Sequence, residues 1–380
     1  MTGLLSGNRY VKILMHPLVA ALLAIGIGFL IGAIVLSAAG YDPGEAYRTL
    51  FGGMFGRPRY IVNIIIKATP IILTGLSVAF AFKTGLFNIG AEGQYMVGAT
   101  MAAILGYVLI LPAAVHIPVV VAGAMLAGAA WSGIAGFLKA KWGIHEVIST
   151  IMLNWIALYL QNFMVMREWL KKPNSESSFE VLGSARITIL GEWKFSEAGS
   201  EWIGNNPAMG DILQRTDLNA GIILAVVAAV LVAFILKRTT LGYSLKAVGL
   251  NRFAAEASGV NIKRNIIVSM CIAGAAAGLA GCVNVIGANP YRISVLSTSE
   301  GYGFDGISVA LIANSSPLGC ILSGLLLSGL RYGGQSLQSE LGVPSEVISI
   351  IIGVIVFVIA VSTVFTILNN ALEKKRSRKL

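Results

Sequence analysis

Apolar runs long enough to cross a bilayer constrain this chain more than any other feature. They fall at residues 18–39, 60–82, 89–111, 114–138, 147–166, 218–236, 266–287, 303–314, 318–330 and 346–368. Most reach the ~20 residues that a helix needs to span the hydrocarbon layer. No water inside that layer satisfies backbone N–H and C=O groups, so runs of this kind have to be helical. Only 12% of the residues are charged against 56% hydrophobic, about half the charged share of a soluble domain. The pattern predicts an all-α integral membrane protein. The first run is too long for the apolar part of a signal peptide and reads as a retained helix.

The eighth and ninth runs are short, and Asn314-Ser315-Ser316-Pro317 between them is a turn signal. Reading them as two short or re-entrant helices gives about ten transmembrane helices. Both termini then lie in the cytoplasm, and the inside segments carry more of the 28 Lys/Arg residues than the outside ones. Merging the two would put the basic tail, Lys374 to Lys379, outside. The net charge of +10 collects in connections and in that tail, which is the flank chemistry of membrane helices and not a nucleic-acid surface.

Two Gly-rich stretches break the apolar monotony. Residues 84–94 open the third run and residues 299–307 the eighth, each with a carboxylate at the edge of a span, Glu92 and Asp305. Paired Gly-interrupted segments predict a pseudo-repeated, two-half architecture with the pathway at the repeat interface. Two ordinary helix starts, with acids at the positive end of the dipole, would look the same. Small residues four apart (Gly28 and Gly32; Gly128, Ser132 and Gly136; Gly274 and Gly278; Ala277 and Gly281) predict close helix–helix contact.

No enzyme site is legible. G-x-S-x-G, H-E-x-x-H and the G-x-x-x-x-G-K-[ST] phosphate loop are absent. Cys271, Cys282 and Cys320 lie in apolar runs without a C-x-x-C and read as small core residues, and the three histidines are far apart. The sequence implies no cofactor and no metal. Energy for any transport would come from an ion gradient or a separate ATPase. Polar residues inside spans mark candidate pathway positions, since burying them in lipid is costly. Asn154 and Gln161, seven apart, share a helix face; Asn88, Glu92, Asn284 and Asp305 complete the set. Each could equally serve interhelical hydrogen bonding. The lining is rich in neutral groups and poor in mid-span carboxylates, which suits an uncharged polar solute better than an ion. Lys67, within a span, reads as a side chain snorkelling outward.

Two connections stand out. Residues 167–217 make one large outer loop, composed like a small folded cap, a docking surface or an inert linker. Residues 237–265 make the longest basic connection on the cytoplasmic side. Ala247, Leu250, Ala254 and Ala257 at 3/4 spacing predict a short amphipathic helix there. It reads either as a place where an outside protein pushes or as a loop whose charge only fixes topology.

The stretches TGLFNIGAEGQYMVGA (84–99), HEVISTIMLNWIALYL (145–160), LGYSLKAVGLNRFAAEASGVNIKRN (241–265), AGAAAGLAG (273–281) and GYGFDGISVALIANSSPLG (301–319) carry a resemblance. In order and together, they resemble the permease subunits of ATP-binding-cassette importers of the branched-chain amino acid, ribose and simple-sugar family, nucleoside importers above all. The resemblance implies a single transmembrane permease domain over residues 1–380 in the plasma membrane of a bacterium. It also implies an ABC ATPase docking on residues 237–265, a second permease subunit, an extracytoplasmic solute-binding lipoprotein and a nucleoside or sugar substrate. By position, Gly249, Asn251, Arg252, Ala255, Glu256, Ser258 and Gly259 fall in the family's coupling segment. Two rival readings follow from the residues alone: an ion-gradient-driven nucleoside carrier, and a membrane receptor or scaffold whose working part is the 167–217 loop.

Overall fold

A computed structural model describes residues 17–191 and 193–358. The first sixteen residues, the far end of the tenth run and the basic tail lie outside the described residues. Among those described, fifteen α-helices occur and no strand, only isolated bridges. Five helices are long and apolar enough to cross a bilayer, and shorter apolar helices accompany them.

The chain divides into two compact units, Pro58–Ser328 and the remainder. In the smaller one, α1 (Pro17–Ala38) is followed by α2 (Pro43–Phe55), which the sequence reading took as a connection. Asp42 caps α2 by accepting the Gly44 N–H at 2.8 Å, with Pro43 at the first helical position. Ala46, Leu50, Gly53 and Met54 form its buried face. A Cβ on Gly28 would run into Ile355 and one on Gly32 into Ile351, so these glycines admit the helix Ser345–Val358 against α1.

The larger unit holds α3 (Pro58–Lys83), α4 (Ala91–Val108), α5 (Ala113–Trp142), α6 (Glu146–Val165), α7 (Glu197–Asn205), α8 (Pro207–Arg215), α9 (Gly221–Arg238), α10 (Thr240–Leu250), α11 (Arg252–Ala257), α12 (Ile262–Gly287) and α13 (Tyr302–Ile312). Its axis is α12, buried on most of its surface and packed on α5, α4 and α3. The small residues explain the closeness. A Cβ on Gly274 would strike the Gly128 backbone and Ser132, and one on Gly278 the Ala124 backbone. Spans bind here through packing, because lipid removes the hydrophobic drive between helices.

The turn after α13 forms where Asn314 to Pro317 predict it, with Asn314 and Ser315 both at positive φ, 49° and 53°. The next helix, α14 (Gly319–Leu341), runs on through residues 331–341, past the end of the ninth apolar run. Leu330, Gly333, Gly334 and Leu337 are buried at helical spacing, and this stripe holds the polar stretch in a helix.

The 167–217 loop is a folded cap. Leu170, Val181 and Ala185 are fully buried. Backbone N–H groups of Ser178, Val181 and Ile187 donate to the carbonyls of Ile293, Tyr291 and Ile286 at 2.8, 2.8 and 3.1 Å. His116 joins the cap to α4 and α5, with Nδ1 2.8 Å from Ser184 Oγ and Nε2 3.1 Å from the Leu105 carbonyl. Cap and 286–295 segment are one piece of structure.

Candidate functional site

Beneath the cap lies a cavity of ≈ 360 Å³, within the range of about 300–1,000 Å³ that small-molecule sites occupy. Its polar lining comes from Asn63, Tyr95, Gln161, Asn219, Asn284, Ser294 and Tyr302, and its apolar lining includes Ile66, Pro70, Ala99, Val283 and Leu296. Lys67, Asp217, Arg292 and Glu300 supply two charges of each sign. Tyr95 and Tyr302 face each other with ring centroids 5.1 Å apart. Asn284 Nδ2 donates to the Tyr95 hydroxyl at 2.6 Å, and Glu300 lines the same cavity. Gln161 Nε2 reaches the Ser294 carbonyl at 3.4 Å. Aromatic faces, amides and balanced charge can hold a neutral ring-bearing solute and orient it by hydrogen bonds.

The sequence-nominated polar residues separate into two groups. Gln161 and Asn284 stand on the cavity wall. Asn88, Glu92 and Asn154 instead organise the start of α4. Asn88, fully buried, accepts the Gly90 N–H at 3.1 Å and bonds Ser77 and Gln94. Asn154 accepts from Gly93 N at 2.8 Å and donates to the Ile89 carbonyl at 3.0 Å. Glu92, in the first turn, accepts the N–H groups of Gly301 and Gly303 at 2.8 and 2.5 Å. The two Gly-rich stretches therefore meet, and the clamp sets the backbone that carries Glu300 and Tyr302 to the cavity. Asp305, buried in the first turn of α13, belongs to the same region without lining the cavity. Lys67 is exposed toward the cavity. Sequence reasoning missed Tyr95, Tyr302, Asn63, Asn219 and Glu300. Glu300 and Tyr302 lie inside the 299–307 stretch and Tyr95 directly after the 84–94 one, so these three carried a local signal, and Asn63 and Asn219 carried none.

At the other end of the unit, residues 237–265 form two short helices where one was expected. Asn251 adopts extended backbone (φ −158°) and its side chain accepts the Ala254 N–H at 3.1 Å, ending α10 and starting α11. This local bond competes with continuous helix. The anticipated stripe is not the buried face: Leu250, Ala254 and Ala257 are exposed, and Ala255 is the residue that turns inward. Leu250 and Phe253 are 88% and 85% exposed. Arg252, Glu256 and Ser258 are exposed as well, and Gly259 closes α11 in the left-handed region at φ +81°. Gly249 rests on the end of α3: a Cβ there would collide with the Lys83 carbonyl and stand 3.0 Å from the Gly85 nitrogen.

A helical membrane protein with a polar solute-sized cavity under a cap and an apolar knuckle at its opposite end belongs to the class of transport permeases. Residues 60–361 match the family described as branched-chain amino acid transport system / permease component, and the chain belongs to that family. It is 39% identical over 365 residues to the guanosine ABC transporter permease protein NupP of Bacillus subtilis, covering 96% of this chain and 99% of the other. It is 38% identical over 351 residues to the nucleoside ABC transporter permease protein NupB of Lactococcus lactis, covering 91% and 92%. A glucose ABC transporter permease protein of Haloferax volcanii is 31% identical over 352 residues, covering 92% and 87%. No solved structure matches the chain. The chain is thus a membrane-embedded transport component and not an enzyme.

Proposed function

We propose that this chain is the conduit of an ATP-driven importer that brings a nucleoside, or a related simple sugar, into a bacterial cell by alternating access. Likeness to a guanosine permease over almost the whole of both chains carries the reading, and an aromatic, amide-lined cavity supports it. The chain is one permease domain with about ten crossings, two related halves and both termini in the cytoplasm. A cytoplasmic ABC ATPase grips Gly249, Asn251, Arg252, Ala255, Glu256, Ser258 and Gly259, with exposed Leu250 and Phe253 as the apolar contact. A second permease, identical or related, pairs with it, and a solute-binding lipoprotein delivers to the outer cap. ATP binding closes the cassettes, and the motion reaches the bundle as a rigid-body shift.

Within the pathway, Gln161 and Asn284 contact solute. Asn88, Glu92, Asn154 and Asp305 act on it through the Gly-rich segments they hold. The test is uptake by cells whose only importer of this type contains the chain, with labelled guanosine challenged by unlabelled nucleosides, ribose and glucose. Nucleosides should compete and sugars should not. Competition by glucose alone overturns the nucleoside assignment.

A further inference from the structure

The cap contains a second cavity, of ≈ 460 Å³, that no function discussed so far uses. Arg186, Thr188, Leu218 and Tyr291 are among the residues lining it, and two others, Asp217 and Asn289, also line the inner cavity. The two spaces therefore share a stretch of wall, and in it Asp217 Oδ2 accepts the Asn289 N–H at 3.2 Å. Both sides of the partition are firmly built. On one side, Asn219 donates to the Asp217 and Gly287 carbonyls, each at 2.9 Å, and accepts the Gly221 N–H at 2.8 Å. On the other, Tyr291 N bonds the Ala288 carbonyl at 2.9 Å, and the Arg186 guanidinium lies 4.3 Å from the Tyr291 ring centre.

We propose that the outer cavity is a first solute station and that the Asp217–Asn289 contact is the partition a solute passes to reach the inner one. This rests on the transport reading above. The outer station offers the Thr188 hydroxyl, the Lys194 ammonium and the edge of the Tyr291 ring, whose face carries an Arg186 guanidinium that donates to the Val181 carbonyl. It takes the same chemical class as the inner cavity, a neutral solute with a conjugated ring and oxygen acceptors. The shared contact is a hydrogen bond from the Asn289 backbone N–H to the Asp217 side chain, so it opens by a turn of that side chain, with the 288–291 backbone and its bonds to the cap left in place. Two stations in series let the cap hold one solute while the inner cavity holds another.

Thiol labelling tests this in membranes containing the full transporter, with the three native cysteines replaced by alanine and uptake checked first. Thr188→Cys reports the outer cavity and Ala99→Cys the inner wall; the probe is an impermeant methanethiosulfonate added outside. Thr188→Cys should react faster than Ala99→Cys. Asp217→Ala should speed the Ala99→Cys reaction roughly five- to tenfold, the population change expected from losing one hydrogen bond, and leave Thr188→Cys unchanged. Asp217→Asn, which keeps an acceptor, should stay slow. Equal reaction at both sites, or an Ala99→Cys rate indifferent to Asp217→Ala, overturns the partition. Guanosine should protect both cysteines. A solute that protects Ala99→Cys and never Thr188→Cys overturns the outer station. Protection of both sites by glucose instead leaves the two stations standing and overturns the nucleoside assignment.

Discussion

Gly249 and Lys83 meet through their backbones: the α-carbon of one lies so near the carbonyl oxygen of the other that no side chain fits between them. Residues 237–265 therefore rest on the end of the long helix α3 and on the Thr84–Gly85 turn, where Ser269 Oγ donates to Thr84 Oγ1 at 2.8 Å. On the proposed coupling, a push on the exposed Leu250–Phe253 knuckle would reach α3 through this contact. Gly249→Ala is expected to displace α10 and cut transport at least about tenfold, while the membrane level of the protein stays near normal, a loss of ~1.4 kcal/mol in coupling. Transport at the normal rate would count against the contact as a transmission point.

Gly259 serves for a different reason. Nothing crowds its Cβ position, yet its φ of +81° is one that other residues adopt at a cost of roughly 1–2 kcal/mol. Gly259→Val should therefore loosen the α11–α12 junction and lower thermal stability slightly. Gly259→Asn should be tolerated better, since asparagine visits this region more readily. Equal melting temperatures for the two variants would show that the turn is not under this constraint.

Glu92 holds the cavity wall from behind. Removing its carboxylate leaves two buried backbone N–H groups without an acceptor, and a charged acceptor of this kind is worth about 1.5–3 kcal/mol. Glu92→Ala should lower the melting temperature of the detergent-solubilised protein and weaken solute capture together. Glu92→Gln, keeping one acceptor oxygen, should fall between. A stable Glu92→Ala protein with normal uptake would refute the clamp.

The Tyr95 hydroxyl accepts from Asn284 in the cavity wall. Tyr95→Phe keeps the ring and removes that link, so KM should rise several-fold with little change in maximal rate, the signature of lost ground-state binding. A pure fall in maximal rate would place Tyr95 in the conformational step instead.

Glu300 faces the cavity from the segment between α12 and α13, where desolvation pushes its carboxyl above the ordinary carboxylate value and the nearby Tyr95 hydroxyl works against that rise. A raised value means that this side chain takes up its proton at a higher pH than a free carboxylate does. Lowering the outside pH from about 7.5 to about 5.5 should therefore change KM in the natural protein through growing neutralisation of Glu300. Glu300→Gln should remove that dependence. An identical pH profile in both proteins would exclude Glu300 as its source.

Much of the helical framework was legible because apolar runs of this length can cross lipid only as helices. Runs of apolar residues, the Asn314–Pro317 turn and the four-residue spacing of Gly128, Gly274 and Gly278 all reappear as structure. The helix Pro43–Phe55 was missed although Asp42-Pro43 is a start signal and Ala46, Leu50 and Met54 keep helical spacing. It is too short and polar to register as a span. The break at Asn251 was missed because a 3/4 apolar spacing does not reveal a capping side chain inside it. The cavity was the least legible part. Asn63, Tyr95, Asn219, Asn284 and Tyr302 come from five separate stretches, and only packing around α12 brings them to one place. Asn88, Glu92 and Asn154 drew notice as buried polar residues; Glu92 and Asn154 proved to bond backbone groups of the Gly-rich segments, and Asn88 the Gly90 N–H together with the Ser77 and Gln94 side chains.

The most direct test of the account is uphill uptake in proteoliposomes holding the purified chain, with and without its ATPase, second permease and binding protein. The account predicts guanosine accumulation only in the complete set with ATP, and none when residues 249–259 are replaced by a glycine-serine linker. Accumulation by this chain alone, driven by an imposed ion gradient, would contradict it.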